Sequence, residues 1–187
     1  MHPGYLVTRY HDHMQRQIVL VSGPPGAGKT SLAVPLAAQL GFPLLTKDTI
    51  KEAIWDALDP PPDDLIWSRR AGAAAMQVLW AVAACCPQAV LEANFRPQSE
   101  RERAHLTALQ ARVVEVYCIC SPAEALRRYA ERGPHRHPTH VLRTLTPEAL
   151  NEFDRPFGLG PVIEVNTELP LDLEGIVRQV KAELCVS

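Results

Sequence analysis

The sequence predicts an α/β fold, in which parallel strands form a central sheet and helices pack against it. First, short apolar runs alternate along the chain with longer helical patterns, the order that builds parallel sheets. Second, Ile18–Val21 is continuously apolar, as expected of a central strand buried on both faces. Third, a glycine-rich segment, Gly23–Thr30, joins this run to a helical pattern. Ligands of such sheets bind beyond the carboxyl ends of the strands.

Capping and helix-breaking residues set the boundaries of the other elements. Gly41 ends the first helix, because glycine readily adopts the left-handed conformation found there. Ser121, followed by Pro122 and Glu124, is a typical helix start, and Asp48 or Thr49 is expected to cap the second helix. The expected elements are strands at 18–21, 42–46, 89–95, 113–119 and 161–166, and helices at 31–40, 47–58, 64–86, 98–110, 122–132, 146–153 and 171–184, with an irregular loop at 133–140.

The glycine-rich segment carries the pattern G-x-x-x-x-G-K-T, the signature of a phosphate-binding loop. Its glycines let a phosphate approach the main chain, and the following helix offers unpaired N–H groups and the positive end of its dipole. Lys29 supplies charge for the outer phosphates and Thr30 a hydroxyl for Mg²⁺. A glycine-rich turn without a ligand is disfavoured by the strand before it and the helix after it. The predicted nucleotide-binding residues are Gly23, Pro24, Pro25, Gly26, Ala27, Gly28, Lys29, Thr30 and Ser31.

Length and composition limit the classes of protein to which this chain can belong. A chain of 187 residues suits one domain with a small inserted lid; we assign 1–16 to an amino-terminal arm and 17–187 to the domain. The net charge of −2 disfavours a nucleic-acid partner without excluding it. The arm lacks the apolar core of a signal peptide, and the longest apolar stretch, 71–86, is too short to span a bilayer. We therefore expect a cytoplasmic protein without a membrane partner.

The cysteines and histidines give no strong metal pattern. The five cysteines lack zinc spacing, so we expect them to be buried and reduced. His135, His137 and His140 lie on an irregular loop, where surface or lid contacts are favoured over metal binding. The arm contains His11-Asp12-His13, a weak metal candidate, and Met14, a second candidate start.

Polar residues at two strand ends are candidates for chemistry. Asp48 follows the second strand and could orient an acceptor hydroxyl and take its proton; the alternative is a plain helix cap. Glu92 ends a buried strand, where an acid can hold Mg²⁺ or its water; the alternative is a carboxylate paired with an arginine. Asn94 and Arg96 follow and are candidate substrate contacts. Lys51, one turn beyond Asp48, is a further candidate substrate contact; the alternative is an exposed, solvated lysine.

Three arginines recur at intervals of four residues. Arg128 and Arg132 share one helical face, and Arg136 lies in the loop that follows. Arginines can clamp a transferring phosphoryl group, and lids complete such sites. We therefore predict a short arginine-containing lid at about 133–145; the alternative is a solvated basic face.

These motifs resemble those of small phosphate-loop kinases of the AAA_33 type. That group is similar to polynucleotide 5′-hydroxyl kinase, chloramphenicol phosphotransferase, gluconate kinase and zeta-toxin kinases. The resemblance rests on Gly23–Thr30, Lys47–Lys51, Leu91–Phe95 and Arg132–His140. It implies a P-loop NTPase fold with a five-stranded parallel sheet flanked by helices. It further implies ATP and Mg²⁺ as cofactors, Asp48 as the acceptor-activating carboxylate, and adenine packing near Arg128 and Thr167. Polynucleotide kinases carry arginine where this chain has Lys51, which speaks against a nucleic-acid acceptor.

The predicted function is ATP-dependent transfer of the γ-phosphoryl group to a hydroxyl of a small molecule. Lys29, Asp48, Arg132 and Arg136 are the predicted catalytic residues. The metal would lie at Thr30 and Glu92, and Asp48, Lys51, Glu92, Asn94 and Arg96 would contact the acceptor. A 5′-hydroxyl nucleic-acid kinase and a nucleotide-dependent ATPase or switch module are the alternatives.

Overall fold

A computed structural model describes residues 15–185, and a five-stranded parallel sheet lies at its centre. The strand order is β2-β3-β1-β4-β5. Because β1 is central, Val19 pairs with Val90 on one side and with Val114 on the other, which explains its continuous apolar run. The strands are β1 (Gln17–Ser22), β2 (Leu44–Thr46), β3 (Gln88–Glu92), β4 (Arg112–Ile119) and β5 (Val162–Asn166).

Helices cover both faces of the sheet. Alternate residues of β1 point to opposite faces, so Val19 packs in one hydrophobic cluster with α1 and α6, and Leu20 in another with α3 and α4. The α-helices are α1 (Lys29–Leu40), α2 (Lys47–Leu58), α3 (Leu65–Ala83), α4 (Glu100–Ala108), α5 (Pro122–Arg132) and α6 (Leu173–Cys185). Two 3₁₀ segments, Gly133–His135 and Pro147–Phe153, lie between α5 and β5. The predicted α/β architecture and its five parallel strands are confirmed.

Most of the predicted helix boundaries agree with the structure. Gly41 ends α1 in the left-handed conformation, with φ of 70°, and its N–H donates to carbonyls of the last turn. Ser121 caps α5 by accepting a hydrogen bond from the N–H of Glu124. The predicted strand 89–95 ends earlier, at Glu92, so Asn94 and Arg96 lie on a connecting segment.

Two local predictions were wrong, and a third was right in position but met a 3₁₀ helix. The residue preceding α2 is Thr46, and its side chain makes no capping hydrogen bond. Asp48 and Thr49 instead lie inside the first turn, where the helix dipole favours a carboxylate. The loop after α5 begins with the 3₁₀ turn Gly133–His135, and the helix expected at 146–153 is a 3₁₀ segment.

The cysteines are less buried than the sequence suggested. All five are free; Cys118 is buried, whereas Cys85 and Cys185 are exposed. Exposed positions near the ends of α3 and α6 do not require an apolar residue, so composition alone misjudged them. Trp80 is buried. None of the helices in residues 15–185 is long and apolar enough to cross a membrane.

Arg16 fixes the start of the described chain to the domain. Its guanidinium group donates hydrogen bonds to the carbonyl oxygens of Cys86, Ala84 and Leu109. These contacts tie the residue before β1 to the ends of α3 and α4. The rest of the predicted arm, including His11-Asp12-His13 and Met14, lies outside the described residues.

Candidate active site

The loop between β1 and α1 is shaped so that only glycine fits at two positions. Gly23 has φ of 129° and Gly26 has φ of 90°, which side chains rarely adopt. A Cβ at Gly23 would overlap the carbonyl oxygen of Cys118, and one at Gly26 would overlap that of Ala125 in α5. The loop is therefore held against β4 and α5, in a shape that suits a phosphate cradle of main-chain amides.

Lys29 and Glu92 line one cavity beside this cradle, and both are buried. The ammonium group of Lys29 donates hydrogen bonds to the carbonyl oxygens of Gly23 at 3.0 Å and Pro24 at 2.8 Å. Burial lowers the pKa of Lys29, and the nearby Glu92 carboxylate opposes this change. Burial raises the pKa of Glu92, while Lys29 opposes the rise.

Among the described residues, no arginine pairs with Glu92, so the alternative of a structural ion pair there is not supported. The hydroxyl of Thr30, the first exposed residue of α1, lies near enough to the Glu92 carboxylate to oppose the rise in its pKa. A hydroxyl and a carboxylate are oxygen ligands of the kind that Mg²⁺ prefers. The side chains of Thr30 and Glu92 therefore fit a magnesium ion.

Asp48 stands at the carboxyl end of β2, facing the same cavity as Lys29 and Thr30. Its carboxylate lies 3.1 Å from the ammonium of Lys47 and 3.6 Å from the guanidinium of Arg136. Burial acts to raise the pKa of Asp48, but Lys47, His140 and Arg136 outweigh it and lower the pKa to about 2. The side chain is thus ionised and remains 45% exposed, which leaves an oxygen accessible from the cavity.

Lys51 is buried, with 7% of its surface exposed, so the expectation of a solvated lysine was wrong. Its ammonium group donates to the hydroxyl of Ser68 and to the carbonyl of Thr139, both at 2.9 Å. Burial and the neighbouring Lys47 lower the pKa of Lys51 to about 8. Lys51 therefore joins α2 to α3 and to the predicted lid.

The segment 136–140 lies along one face of α2. The Nε2 atoms of His137 and His140 lie 2.9 Å from Asp56 and 2.8 Å from Glu52, respectively. The guanidinium of Arg136 donates to Nδ1 of His140 at 2.9 Å, which assigns the proton of a neutral His140 ring to Nε2. Burial lowers the pKa of His140, which favours the neutral form. The expectation that these histidines make lid contacts agrees with this geometry, and no group of three metal-binding side chains occurs within residues 15–185.

Arg132 and Arg136 reach the cavity from the end of α5 and from the segment beyond it. Arg132 bonds through Nε to the carbonyl oxygen of Arg128 at 3.3 Å. The guanidinium of Arg136 lies 4.8 Å from the centre of the Tyr129 ring, a cation–π contact. One buried nitrogen of Arg136, Nη1, has no hydrogen-bond partner among the described residues. Arg132 and Arg136 therefore retain donors that face the site.

Two cavities adjoin at the phosphate loop. The larger, of about 570 Å³, extends over the carboxyl ends of β2 and β3 and contains Asp48 and Glu92. The smaller, of about 350 Å³, lies beside β5. Gly26, Gly28 and Arg132 line both cavities. A molecule held in the loop would therefore be reached from both sides.

The smaller cavity brings together residues that the sequence associated with adenine. Arg128 donates to the hydroxyl and to the carbonyl of Thr167, both at 3.1 Å. Ser31, Leu32, Glu131 and the exposed Leu169 and Leu171 also line this cavity. Apolar side chains beside fixed polar groups form a surface suited to a planar base.

No individual residue of α3 was predicted as a site residue. Its residues recur at intervals of three and four along the larger cavity, the spacing of one helical face. This periodicity is visible in the sequence, but it is the same for a helix that faces the core. The cavity-lining residues that the sequence did not single out include Ser68, Arg69, Met76 and Gln77 of α3, and Arg101, His105 and Phe153 elsewhere.

Solved structures share this fold. A Chloroflexus aurantiacus protein provisionally assigned as a kinase is 30% identical, with a TM-score of 0.77, and the match covers 91% of this chain and 98% of that one. A gluconokinase from Sinorhizobium meliloti is 21% identical, with a TM-score of 0.53 and coverage of 92% and 93%. The APS kinase of Mycobacterium tuberculosis, in complex with AMPPNP and APS, is 18% identical, with a TM-score of 0.59 and coverage of 91% and 98%. The last two show similarity of fold.

A comparison with curated protein sequences gave no significant match. The strand order, the phosphate loop and the flanking helices form a P-loop NTPase fold, shared with the kinases above. The AAA_33 model, described as an AAA domain, matches residues 18–156, a span that contains the phosphate loop, Asp48, Glu92 and the predicted lid. The chain therefore belongs to the AAA_33 family.

Proposed function

We propose that this protein is an ATP-dependent phosphotransferase that moves the γ-phosphoryl group of ATP to a hydroxyl of a small molecule. The observation that carries the proposal is the position of Asp48. Asp48 lines the same cavity as the phosphate loop, and that cavity is large enough for a small acceptor. A carboxylate at that point can align a hydroxyl with the phosphoryl group held in the loop.

The nucleotide would span the two cavities. Its base would pack against Arg128, Thr167 and the leucines of the smaller cavity, and its phosphates would lie in the loop near Lys29. Thr30 and Glu92 are the residues that would hold Mg²⁺, which when bound neutralises charge on the phosphate oxygens. ATP and Mg²⁺ thus fit the donors that this chain supplies.

Asp48 would orient the acceptor rather than deprotonate it early. With a pKa of about 2, its carboxylate is a weak base, whereas a free hydroxyl is a very weak acid. The acceptor oxygen bonds to phosphorus while the bond from phosphorus to the bridging oxygen breaks, and the hydroxyl becomes acidic as that transfer proceeds. Asp48 then receives a proton that is already leaving. Asn94, Arg96 and Lys51 are proposed to shape the acceptor site.

Arg132 and Arg136 would stabilise the charge that develops on the transferring group. Both line the larger cavity, and a nitrogen of Arg136 is buried without a partner among the described residues. An anion near this nitrogen would satisfy it. The segment 133–145 is proposed to act as a lid that keeps water from the phosphoryl group.

The proposal is tested by incubating the protein with ATP, Mg²⁺ and a panel of hydroxyl compounds, and by detecting the phosphorylated products. We expect Asp48→Asn to lower kcat by about 10²-fold or more while ATP-analogue binding persists. Asp63→Asn, at an exposed turn residue with φ of 57°, is the matched control and should transfer at the normal rate. Equal transfer by the Asp48→Asn variant, or ATP hydrolysis without any acceptor product, would refute the proposed function.

A further inference from the structure

The part of the larger cavity that α3, α4 and the segment after β3 form has an excess of positive charge. Arg69 of α3, Arg96 after β3 and Arg101 of α4 all line it, together with the buried Lys51. The carboxylates on this side are Glu102 and Glu152. Cations therefore outnumber acids around the space where an acceptor would lie.

Both of these acids are already engaged by one arginine. Arg96 donates from Nε to Glu152 at 2.8 Å, and its Nη1 lies 3.6 Å from Glu102. The main-chain N–H of Arg96 also donates to Glu102 at 2.9 Å. This cluster carries one net negative charge, which offsets only one of the three remaining cations, Arg69, Arg101 and Lys51.

Arg69 and Arg101 make no ion pair or hydrogen bond with any residue in the described range 15–185. A single exposed arginine of this kind is ordinary, because water satisfies it. Two arginines from different helices that line one concave space are different, since their mutual repulsion favours an anion between them.

Lys51 supplies a buried group to the same space. Two of its three N–H bonds are used by Ser68 and Thr139. The third has no partner among the described residues, although the side chain is 7% exposed and lines the cavity. A buried donor without a partner is costly, and an anionic ligand would satisfy it better than water would.

We infer that the acceptor is a small alcohol that also carries an anionic group. Arg69 and Arg101 bind that group, with Lys51 beside it, and the hydroxyl lies at Asp48. The planar guanidinium fork suits a carboxylate or a phosphate equally, because both present two oxygens. This assignment rests on the proposed phosphotransferase function and specifies its substrate class. The cations would also offset the repulsion between an anionic acceptor and the Asp48 carboxylate.

The test uses matched alcohols that differ only in charge, with the full-length protein, ATP and Mg²⁺. Suitable pairs are glycerate with glyceramide, gluconate with gluconamide, and glycerol 3-phosphate with glycerol. We expect the charged member of a pair to have a kcat/KM at least about tenfold above its neutral partner. The carboxylate and phosphate pairs distinguish the two sources of negative charge.

Substitution of Arg69 and Arg101 tests where the anionic group binds. In the double variant Arg69→Gln/Arg101→Gln, the KM of the charged member should rise by about tenfold or more, while the KM of the neutral member changes little. Arg178→Gln, at an exposed position of α6, is the matched control and should leave both constants unchanged. Equal use of charged and neutral members, or an unchanged KM in the double variant, overturns the inference but leaves the phosphotransferase function intact.

A binding measurement decides the case in which no alcohol is phosphorylated. Isothermal titration of glycerate and of glycerol 3-phosphate into the protein with a non-hydrolysable ATP analogue should show binding that the double variant loses. Binding of these anions without any phosphoryl transfer would refute the phosphotransferase function and would support the anion site. Absence of binding by either anion would overturn the anion site itself. A short 5′-hydroxyl oligonucleotide that is phosphorylated in preference to these alcohols would overturn the assignment to a small acceptor.

Discussion

The ammonium group of Lys51 lies 2.9 Å from the carbonyl oxygen of Thr139, a residue 88 positions away along the chain. The same carbonyl accepts a hydrogen bond from the hydroxyl of Ser68 at 2.6 Å. Lys51 and Ser68 lie on α2 and α3, and Thr139 on the predicted lid. Three distant parts of the chain are thus joined at one buried point beside Asp48.

This contact predicts a particular dependence of stability on pH. The pKa of Lys51 is lowered from 10.5 to about 8, so between these values the unfolded chain binds more protons than the folded one. The stability contributed by this group should therefore rise as pH increases from 8 to 10.5. Compared with a Lys51→Met variant, the wild type should gain on the order of 2 kcal/mol between pH 7 and pH 9.5.

Urea unfolding of both proteins at the two pH values measures this difference. Comparison with Lys51→Met cancels the titration of other groups, because the two chains share them. A difference that stays constant with pH would show that Lys51 titrates normally in the folded protein, and one that falls as pH rises would show that folding raises its pKa; either result would contradict this account.

The low pKa of Asp48 predicts the shape of the pH–rate profile. Because Lys47, His140 and Arg136 together hold its pKa near 2, Asp48 stays ionised throughout the range from pH 5 to pH 9. Activity should therefore show no acid limb from Asp48 in that range. Lys47→Met removes the strongest favourable partner and should raise the pKa of Asp48, moving any acid limb upwards. An acid limb between pH 5 and pH 7 in the wild type that moves upwards in Lys47→Met would belong to Asp48 and would contradict this account.

Gly26→Ala should abolish nucleotide binding. Its new Cβ would overlap the carbonyl oxygen of Ala125 at a residue with φ of 90°, so the loop must leave α5. Gly41→Ala is a matched control, because Gly41 also has a positive φ, of 70°, but has nothing within 4 Å of a Cβ. We expect the control to lose about 1 kcal/mol of stability and to bind ATP normally by fluorescence or calorimetry. Normal ATP binding by Gly26→Ala would disprove the close approach.

Glu115→Gln should destabilise the fold. Glu115 is fully buried on β4, and its carboxylate accepts hydrogen bonds from the hydroxyl of Ser22 and from the N–H groups of Phe157 and Gly158. A glutamine offers one acceptor oxygen and directs an NH₂ group at a donor, which should cost roughly 2 to 3 kcal/mol. Glu164→Gln, at an exposed position of β5, should change the free energy of unfolding little. Equal unfolding midpoints for the two variants in urea would rule out this role.

The sequence by itself determined the parts of this protein that depend on local pattern. The phosphate loop, the alternation of strands and helices, the limits of α2 and the stop at Gly41 all follow from neighbouring residues. Backbone sterics and apolar periodicity act over a few positions, so they can be read along the chain. The capping role expected of Asp48 was wrong, since the strand and helix meet without the intervening turn that a cap requires.

Only the tertiary structure decided what surrounds each functional side chain. The burial of Lys51, the approach of Arg136 to Asp48, and the shared cavity of Arg69 and Arg101 depend on how separate helices pack over the carboxyl ends of β2 and β3. A lysine on the face of α2 that packs against α3 has the same sequence neighbours whether its ammonium group contacts water or a carbonyl oxygen. Its environment is set by packing between residues far apart in the chain, and that packing fixes its charge and its partners.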